Sequence, residues 1–172
     1  MSVYIVRSEI SADLPALTDN DQVILLRPLE DGPAVRFQVF DTEADARAAG
    51  DDVYRLLVEV AGPWQDVPSH AVCATWKLKD GNQVDHFLEN RRQLFEVRRR
   101  VLPHFVYDWL LQSLQHEDQF LVLGLYGDED SAIRLCREHP DVEQYNRLHP
   151  LGAFSAEDVT GLRCFRVETY PA

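Results

Sequence analysis

The stretch FLVLGLYGDEDSAIRLCREHP, Phe120–Pro140, decides the fold. Its first part is an apolar run of strand length that ends at Tyr126, and acidic residues follow at once from Asp128. Acidic side chains are favoured in the first turn of a helix because that end of the helix carries partial positive charge. The stretch therefore predicts a strand that turns directly into a helix reaching about Glu138, followed by a short helix from Asp141 to Leu148.

The surrounding sequence extends this unit into a complete module. HAVCATWKLK predicts a strand, QVDHFLENRRQLFEVRRRVL a helix that ends at Pro103, and HFVYDWLLQSL and QFLVLGLY two strands joined by QHED. GLRCFRVETY predicts a closing strand. The order strand, helix, strand, strand, helix, strand is that of a ferredoxin-like α+β module with an antiparallel sheet.

The first part of the chain reads as a reduced version of the same unit. VYIVRSEI predicts a strand and SADLPALTDND a loop, and QVILLRPL and AVRFQVF predict a hairpin around EDGP, with Pro28 at a strand end. A helix capped by Asp41 or Thr42 is expected to run to Gly62, with Gly50 as a potential break. No long helix separates the first strand from the hairpin.

Two segments, one from each half of the chain, indicate that the chain consists of two related modules. FQVFDTEADARAA and LGLYGDEDSAIRL share the order of apolar, aromatic and acidic positions, and in both places the second strand of a hairpin leads into an acidic helix start. The segment GPWQDVPSH has two prolines and no periodicity, which is typical of a boundary. We predict modules at residues 1–68 and 69–172.

Charge and composition exclude several classes of protein. Seventeen Lys and Arg residues against 29 Asp and Glu give a net charge of −12, whereas nonspecific binding to nucleic acid or to an anionic membrane needs a positive surface. No apolar run approaches the length of about 18 residues that a membrane span needs. A cytoplasmic location is expected, and Cys73, Cys136 and Cys164 are interpreted as buried thiols.

Residues 71–168 resemble the antibiotic biosynthesis monooxygenase (ABM) superfamily. The resemblance lies in ATWKLKDGNQVDHFLENRRQLF, LPHFVYDWLLQSL, QFLVLGLYGDEDSAIRLCREHPDVEQYNRL and LRCFRVE, in that order. It implies a dimeric α+β barrel, in which two antiparallel sheets face each other. Because this chain carries two ferredoxin-like modules, the barrel would close within the chain, with homodimerisation as the alternative. The family includes cofactor-free quinone-forming oxygenases, heme-degrading oxygenases and proteins of no known activity, so fold alone does not fix function.

A cluster of arginines stands out in this acidic chain. Five of the 17 basic residues lie within ten positions, at Arg91, Arg92, Arg98, Arg99 and Arg100. Helical periodicity places Arg91 and Arg98 on the apolar face, where a buried guanidinium needs an anionic partner. One interpretation is that they hold a phenolate or carboxylate in a cleft between helix and sheet. The other is that they extend from the edge of the apolar face and pair with acidic side chains.

Aromatic residues on the predicted strands are the second candidate feature. Trp76 lies on the first strand of the second module, and Phe105, Tyr107 and Trp109 are spaced to share one face of the next. They would form either a stacking surface for a planar ligand or part of the core. Phe105 fits the core better, whereas the polar groups of Tyr107 and Trp109 suit a ligand equally well.

Metal and heme chemistry have little support in the sequence. The six histidines show no metal-ligand spacing, and we predict no metal site and no cofactor. The family resemblance implies an asparagine, a tryptophan and a histidine for heme degradation, but Ala74, Leu135 and Arg147 occupy those positions. Asn146 and His149 lie close by and complete the candidate substrate-binding set.

Two functions remain open from the sequence. The first is a cofactor-independent monooxygenase acting on a small phenol or hydroquinone, in which Arg91 or Arg98 stabilises the deprotonated substrate. The second is a non-catalytic ABM-like protein that binds a small molecule or dimerises. The sequence does not decide whether the protein is an enzyme.

Overall fold

The computed structural model describes residues 2–10, 22–151, 156–158 and 161–171. Its strands are β1 (Tyr4–Ile10), β2 (Val23–Pro28), β3 (Ala34–Phe40), β4 (Val53–Ala61), β5 (His70–Leu78), β6 (Phe105–Ser113), β7 (Gln119–Tyr126), β8 (Ala156–Asp158) and β9 (Arg163–Thr169). The helices are α1 (Glu43–Ala49), α2 (Val84–Val101), α3 (Cys136–Glu138) and α4 (Pro140–Leu148), with a 3-10 turn at Gly81–Gln83 and a π-helical turn at Ser131–Leu135.

The described strands form a closed antiparallel barrel within the single chain. Their order is β7-β6-β4-β1-β3-β2-β9-β5, and the pairing of β5 with β7 closes the ring. β8 pairs with the end of β5, with Leu78 opposite Ala156. Closure pairs the backbone N–H and C=O groups that the edge strands of an open sheet would leave unpaired. The predicted α+β fold is therefore confirmed, and the barrel closes in its intramolecular form.

Each half of the chain contributes four neighbouring strands to this ring. The first half lies in the order β4-β1-β3-β2, and the second half repeats it as β9-β5-β7-β6. The halves meet where β4 pairs with β6 and where β2 pairs with β9. The division into modules 1–68 and 69–172 stays a prediction, and the repeated order supports it.

The segment after β3 is only partly helical. Thr42 caps α1 by accepting a hydrogen bond from the amide of Asp45, as the sequence predicts, but α1 ends at Ala49. The prediction that the helix continues to Gly62 is wrong, because VYRLLVEVA forms β4. Its buried valines, including Val58, suit a strand, and β4 has to pair with β1 and β6 to close the barrel.

The helices of the second half lie close to their predicted positions. α2 ends at Val101, just before Pro103, and α4 begins at Pro140, one residue earlier than predicted. β8 was not predicted, and the predicted loop at residues 11–21 lies outside the described residues. Throughout the described parts of the chain, every helix is too short or too polar to cross a lipid bilayer.

The barrel wall separates two apolar layers. The inner layer fills the barrel and includes Phe37, Leu123 and Phe165. The outer layer lies between the second half of the sheet and its helices and includes Phe95 of α2 and Phe120 of β7. Because side chains alternate across a strand, strands such as β5, β6 and β7 contribute to both layers. A ligand site on one face is therefore separated from the other face by the sheet itself.

Candidate functional site

A cavity of about 550 Å³ lies in the outer layer, between α2 and the sheet. We call it the α2 cavity. It is lined by Val72, Ala74, Trp76, Arg91, Leu94, Phe95, Arg98, Val122, Arg137, Asn146, Pro150, Leu151 and Leu162. This volume and the mixture of apolar walls with a few polar groups are typical of small-molecule sites. Four of the predicted site residues line the cavity, namely Trp76, Arg91, Arg98 and Asn146.

The two buried arginines reach the cavity because of the helical repeat. Arg91 and Arg98 are seven residues apart, which is close to two helical turns, and Leu94 lies between them on the same face. Both are buried, with 4% and 7% of their surface exposed. Arg92 and Arg99, one position further along, are exposed. The arginine cluster thus divides into a buried pair facing the cavity and a solvent-facing set.

Arg98 has an anionic partner inside the protein. Its Nη1 lies 3.0 Å from Oδ2 of Asp108, and its Nε donates to the carbonyl oxygen of Cys136 at 2.8 Å. Asp108 is fully buried and also accepts a hydrogen bond from the hydroxyl of Tyr126 at 3.3 Å. Burial opposes the charge, yet the surrounding Tyr126 and Asp108 raise the pKa of Arg98 above its ordinary value. The charge of Arg98 is therefore balanced by Asp108, and its side chain is a fixed part of the cavity wall.

The glycine opposite this pair is required by its geometry. Gly124 of β7 pairs with Asp108 of β6, and a Cβ atom at position 124 would collide with the Asp108 carboxylate. The same Cβ would lie 3.0 Å from the hydroxyl oxygen of Tyr126. The glycine leaves room for the carboxylate between the sheet and α2.

Arg91 has no such partner. Its Nε donates to Oδ1 of the neighbouring Asn90 at 2.9 Å, and its Nη2 donates to the same neutral oxygen. In the described part of the chain, no carboxylate oxygen lies within 4.0 Å of its guanidinium nitrogens. Burial and the charge of Arg98 lower the pKa of Arg91 to about 9, so it remains charged at neutral pH. A buried cation without a counterion is costly, and an anionic ligand in the cavity would remove that cost.

Asn90 and Tyr145 hold this corner of the cavity together. Asn90 is buried, and its Nδ2 donates to the carbonyl oxygen of His149 at 3.4 Å. The hydroxyl of Tyr145 on α4 donates to the main-chain carbonyl oxygen of Asn90 at 3.0 Å. The ring of His149 is exposed and packs at 4.7 Å from the Tyr145 ring, so His149 contributes its backbone at the rim and does not line the cavity.

Tyr107 and Trp109 lie on the other side of the barrel wall. Both pack in the inner layer, with ring centroids 4.6 Å apart and planes at 18°. A bulge between Phe105 and Tyr107 breaks the alternation of β6, so Phe105 faces the helices while Tyr107 and Trp109 face inward. The prediction that these three share one face is wrong for Phe105. The structure does not bring Tyr107 and Trp109 together with Trp76 and the arginines.

No protein-family model and no curated protein matches the sequence. Among solved structures, an uncharacterized ferredoxin fold protein related to antibiotic biosynthesis monooxygenases, from Listeria monocytogenes, matches with a TM-score of 0.59 and 11% identity, covering 98% of this chain and 95% of that one. The chain has the ABM-type fold.

Two further solved structures are similar over nearly their whole length. An anthrone oxidase-like protein matches with a TM-score of 0.64 and 8% identity, covering 98% of this chain and 92% of that chain. The heme-degrading enzyme LmHde from Listeria monocytogenes matches with a TM-score of 0.56 and 14% identity, covering 99% and 100%. The predicted resemblance is thus confirmed at the level of the fold, and identities this low show the fold alone.

A heme is the first ligand to consider, because the similar LmHde is a heme-degrading enzyme. The α2 cavity does not fit a heme. Heme iron is held by histidine, cysteine, methionine or tyrosine side chains. None of these is among the described residues that line the cavity. Ala74 lines it where the family resemblance implies an asparagine, and no group of three or more potential metal ligands occurs among the described residues.

Three residues of this site were not predicted from the sequence. They are Asn90, Asp108 and Arg137. Arg137 lines the cavity from the exposed side of α3, with Nη2 donating to the carbonyl oxygen of Ile133. A signal existed for Asp108, since a carboxylate in the apolar run FVYDWLL is unusual and has to find a buried cation or a polar end.

Proposed function

We propose that the α2 cavity binds a small aromatic molecule with an anionic group, and that the protein oxidises this molecule as a cofactor-independent monooxygenase. The observation that carries the proposal is Arg91, a buried cation that lines the cavity without a carboxylate partner among the described residues. A planar guanidinium suits phenolate and carboxylate oxygens because it donates two parallel hydrogen bonds.

Different cavity residues would contact different parts of such a ligand. Arg91 would hold the anionic oxygen, and a cation within about 4–6 Å lowers the pKa of a phenol by about 1–3. Trp76, Leu94 and Phe95 supply apolar surface for the ring. Asn146 of α4 adds a neutral hydrogen-bonding group to the cavity lining.

The proposed reaction balances with dioxygen as the only oxidant. In an anthrone-type substrate, a ring methylene becomes a carbonyl: its two C–H bonds break, one atom of dioxygen becomes the carbonyl oxygen, and the other leaves as water with the two methylene hydrogens. The substrate loses four electrons and dioxygen gains four. The ionised form of the substrate is the electron donor, so the protein promotes the reaction by stabilising that anion and by excluding water.

The named relatives support the size and shape of the ligand. One structural relative is described as anthrone oxidase-like and another as heme-degrading, and anthrones and hemes are both flat polycyclic molecules. Cofactor independence is proposed because the described cavity lining lacks heme-ligating side chains. The two observations together favour a free aromatic substrate over a bound heme.

A second candidate function is ligand binding without catalysis. The described lining contains arginines, an asparagine and apolar residues, but no aspartate, glutamate, histidine, cysteine or tyrosine that could act as a general base. A site of this composition is sufficient to hold an anion. This candidate shares the α2 cavity and the role of Arg91 with the first.

Oxygen consumption with an anthrone distinguishes the two functions. Purified protein treated with a chelator is mixed with 1,8-dihydroxyanthrone in an oxygen-electrode cell, and uptake in protein-free buffer is subtracted. The monooxygenase hypothesis predicts protein-dependent uptake, with kcat/KM about 100-fold lower in Arg91→Gln. Arg92→Gln is the matched control because Arg92 is exposed and adjacent on α2.

Each outcome of this experiment is decisive. Binding of the anthrone without oxygen uptake supports the non-catalytic candidate and rejects the oxygenase. Uptake that is equal in Arg91→Gln and Arg92→Gln rejects the role of Arg91. Absence of both uptake and binding rejects an aromatic ligand for the α2 cavity.

A further inference from the structure

A second cavity of about 370 Å³ opens at one end of the inner layer. We call it the barrel-mouth cavity. Its walls include Tyr107 and Trp109 of β6, Glu59 of β4 and Tyr170 after β9. Among the residues that the structure describes, none lines both this cavity and the α2 cavity, and the barrel wall separates the two. Tyr107 and Trp109, which the sequence grouped with Trp76 as candidate ligand contacts, therefore line a different cavity from Trp76.

The wall formed by β6 and β4 is fixed by a short hydrogen bond. Trp109 Nε1 donates to Oε2 of Glu59 at 2.6 Å, and the Trp109 side chain is largely buried. The Tyr107 ring stacks on the Trp109 ring. A carboxylate held in place beside two stacked aromatic rings forms a preorganised surface, which reduces the entropy lost when a ligand binds.

Glu59 carries the formal charge of this cavity. The described lining contains no lysine, arginine or histidine, and among the described residues no side-chain cation lies within 4.0 Å of the Glu59 carboxylate. Burial and a hydrogen bond with Tyr170 raise the pKa of Tyr107 well above its usual value, which keeps its hydroxyl neutral. The cavity is thus negative, whereas the α2 cavity is lined by three arginines.

We propose that the barrel-mouth cavity is a second ligand site, for a small organic cation with an apolar or aromatic body, such as an arylalkylamine. The ammonium group would pair with Glu59, and the apolar body would pack against the Tyr107 and Trp109 rings. Aromatic faces attract cations, and the attraction is larger where water is partly excluded. The net charge of −12 further favours the approach of a cation.

Binding of matched benzyl compounds tests this proposal. Benzylamine, benzyl alcohol and benzoate have similar aromatic bodies and differ in charge, and their dissociation constants are measured by titration calorimetry and by Trp fluorescence at low salt. We expect benzylamine to bind about tenfold more tightly than benzyl alcohol, and benzoate to bind weakest at this site. Equal affinity for the amine and the alcohol would overturn the proposal.

Two charge-neutralising variants locate the site. Glu59→Gln keeps an oxygen that can accept from Trp109 but removes the charge, and Glu117→Gln removes an equal charge from an exposed turn between β6 and β7. We expect Glu59→Gln to abolish the preference for benzylamine over benzyl alcohol and Glu117→Gln to retain it. A preference that survives in Glu59→Gln would place the cation elsewhere and contradict the proposal. Circular dichroism confirms that each variant is folded, and Tyr170→Phe provides a second variant on the same cavity.

The result is independent of the proposed monooxygenase function. Benzylamine binding is measured without dioxygen chemistry and without any residue of the α2 cavity. Arg91→Gln is expected to leave benzylamine affinity unchanged within about twofold, because Arg91 lies on the opposite face of the barrel wall. A large effect of Arg91→Gln on benzylamine binding would show that the ligand occupies the α2 cavity instead.

Discussion

Replacing Asp108 tests whether its ion pair with Arg98 anchors α2 to the barrel. The two side chains are joined at 3.0 Å, with Asp108 0% and Arg98 7% exposed. Asp108→Ala would leave Arg98 buried without a carboxylate, beside the uncompensated charge of Arg91. Removing one partner of a buried pair costs about 3–5 kcal/mol. That is a large share of the roughly 5–15 kcal/mol that stabilises a typical domain.

Urea unfolding at pH 7, followed by far-ultraviolet circular dichroism, measures this cost. Asp108→Asn keeps the side-chain shape and an acceptor for the Tyr126 hydroxyl, so we expect a smaller loss of about 1–3 kcal/mol. The control is Asp130→Ala, which removes an exposed ion pair with Arg134 one helical turn away. The control should change the free energy of unfolding by no more than about 0.5 kcal/mol.

A double variant separates the ion pair from simple loss of packing. Arg98→Met combined with Asp108→Leu removes both charges together and keeps apolar volume. We expect it to be more stable than either single variant, because neither leaves a buried charge behind. If Asp108→Ala costs no more than Asp130→Ala, or if the two single losses simply add, the ion pair does not anchor α2.

Three further predictions use other parts of the molecule. Gly62→Ala would place a methyl group against the backbone carbonyl of Phe105, so we expect a loss of about 3 kcal/mol in urea unfolding. Gly81→Ala meets no atom within 4 Å and should be neutral within about 0.5 kcal/mol; equal effects would contradict the geometry. Partial burial opposes ionisation of Asp128, but hydrogen bonds from Ser131 and His104 lower its pKa, so its stabilisation is present above pH about 4 and lost as pH falls. The difference in unfolding free energy between the protein and Asp128→Asn should therefore be largest near pH 7 and should shrink as the pH falls below about 4. Burial and a neighbouring carboxylate raise the pKa of Tyr126. The neutral Tyr126 hydroxyl therefore stabilises the folded state below pH about 10, and this contribution is lost as the pH rises further. Absorbance at 295 nm should show part of the six tyrosines ionising only with cooperative unfolding, and smooth titration of all six in the folded state would contradict this.

Local periodicity was sufficient to predict the parts of the fold that depend on one element at a time. The apolar face of α2 and the proline after it determine the helix, and the same repeat places Arg91 and Arg98 on one side. The hairpin of β2 and β3, with Pro28 at the end of β2, and the strand-to-helix junction after Tyr126 are likewise local features. These predictions rest on short-range geometry that tertiary packing did not override.

The remaining features depend on contacts between distant parts of the chain. The sequence VYRLLVEVA suits a helix or a buried strand, and only the need to close the barrel between β1 and β6 selects the strand. A single extra residue in the β6 bulge reverses the face of Tyr107 and Trp109 relative to Phe105. That reversal moved two predicted ligand contacts from the α2 cavity into the barrel, which no periodicity in the sequence indicates.

Arg91 should confer a preference for anions on the α2 cavity. Titration calorimetry compares 2-naphthoate with the neutral 2-naphthalenemethanol, using the protein, Arg91→Gln and Arg92→Gln. A charge-assisted hydrogen bond contributes about 1.5–3 kcal/mol, so the carboxylate should bind at least about tenfold more tightly. We predict that Arg91→Gln removes this preference and that Arg92→Gln retains it. Equal affinity for the two ligands, or an unchanged preference in Arg91→Gln, would show that Arg91 does not bind an anion in the α2 cavity.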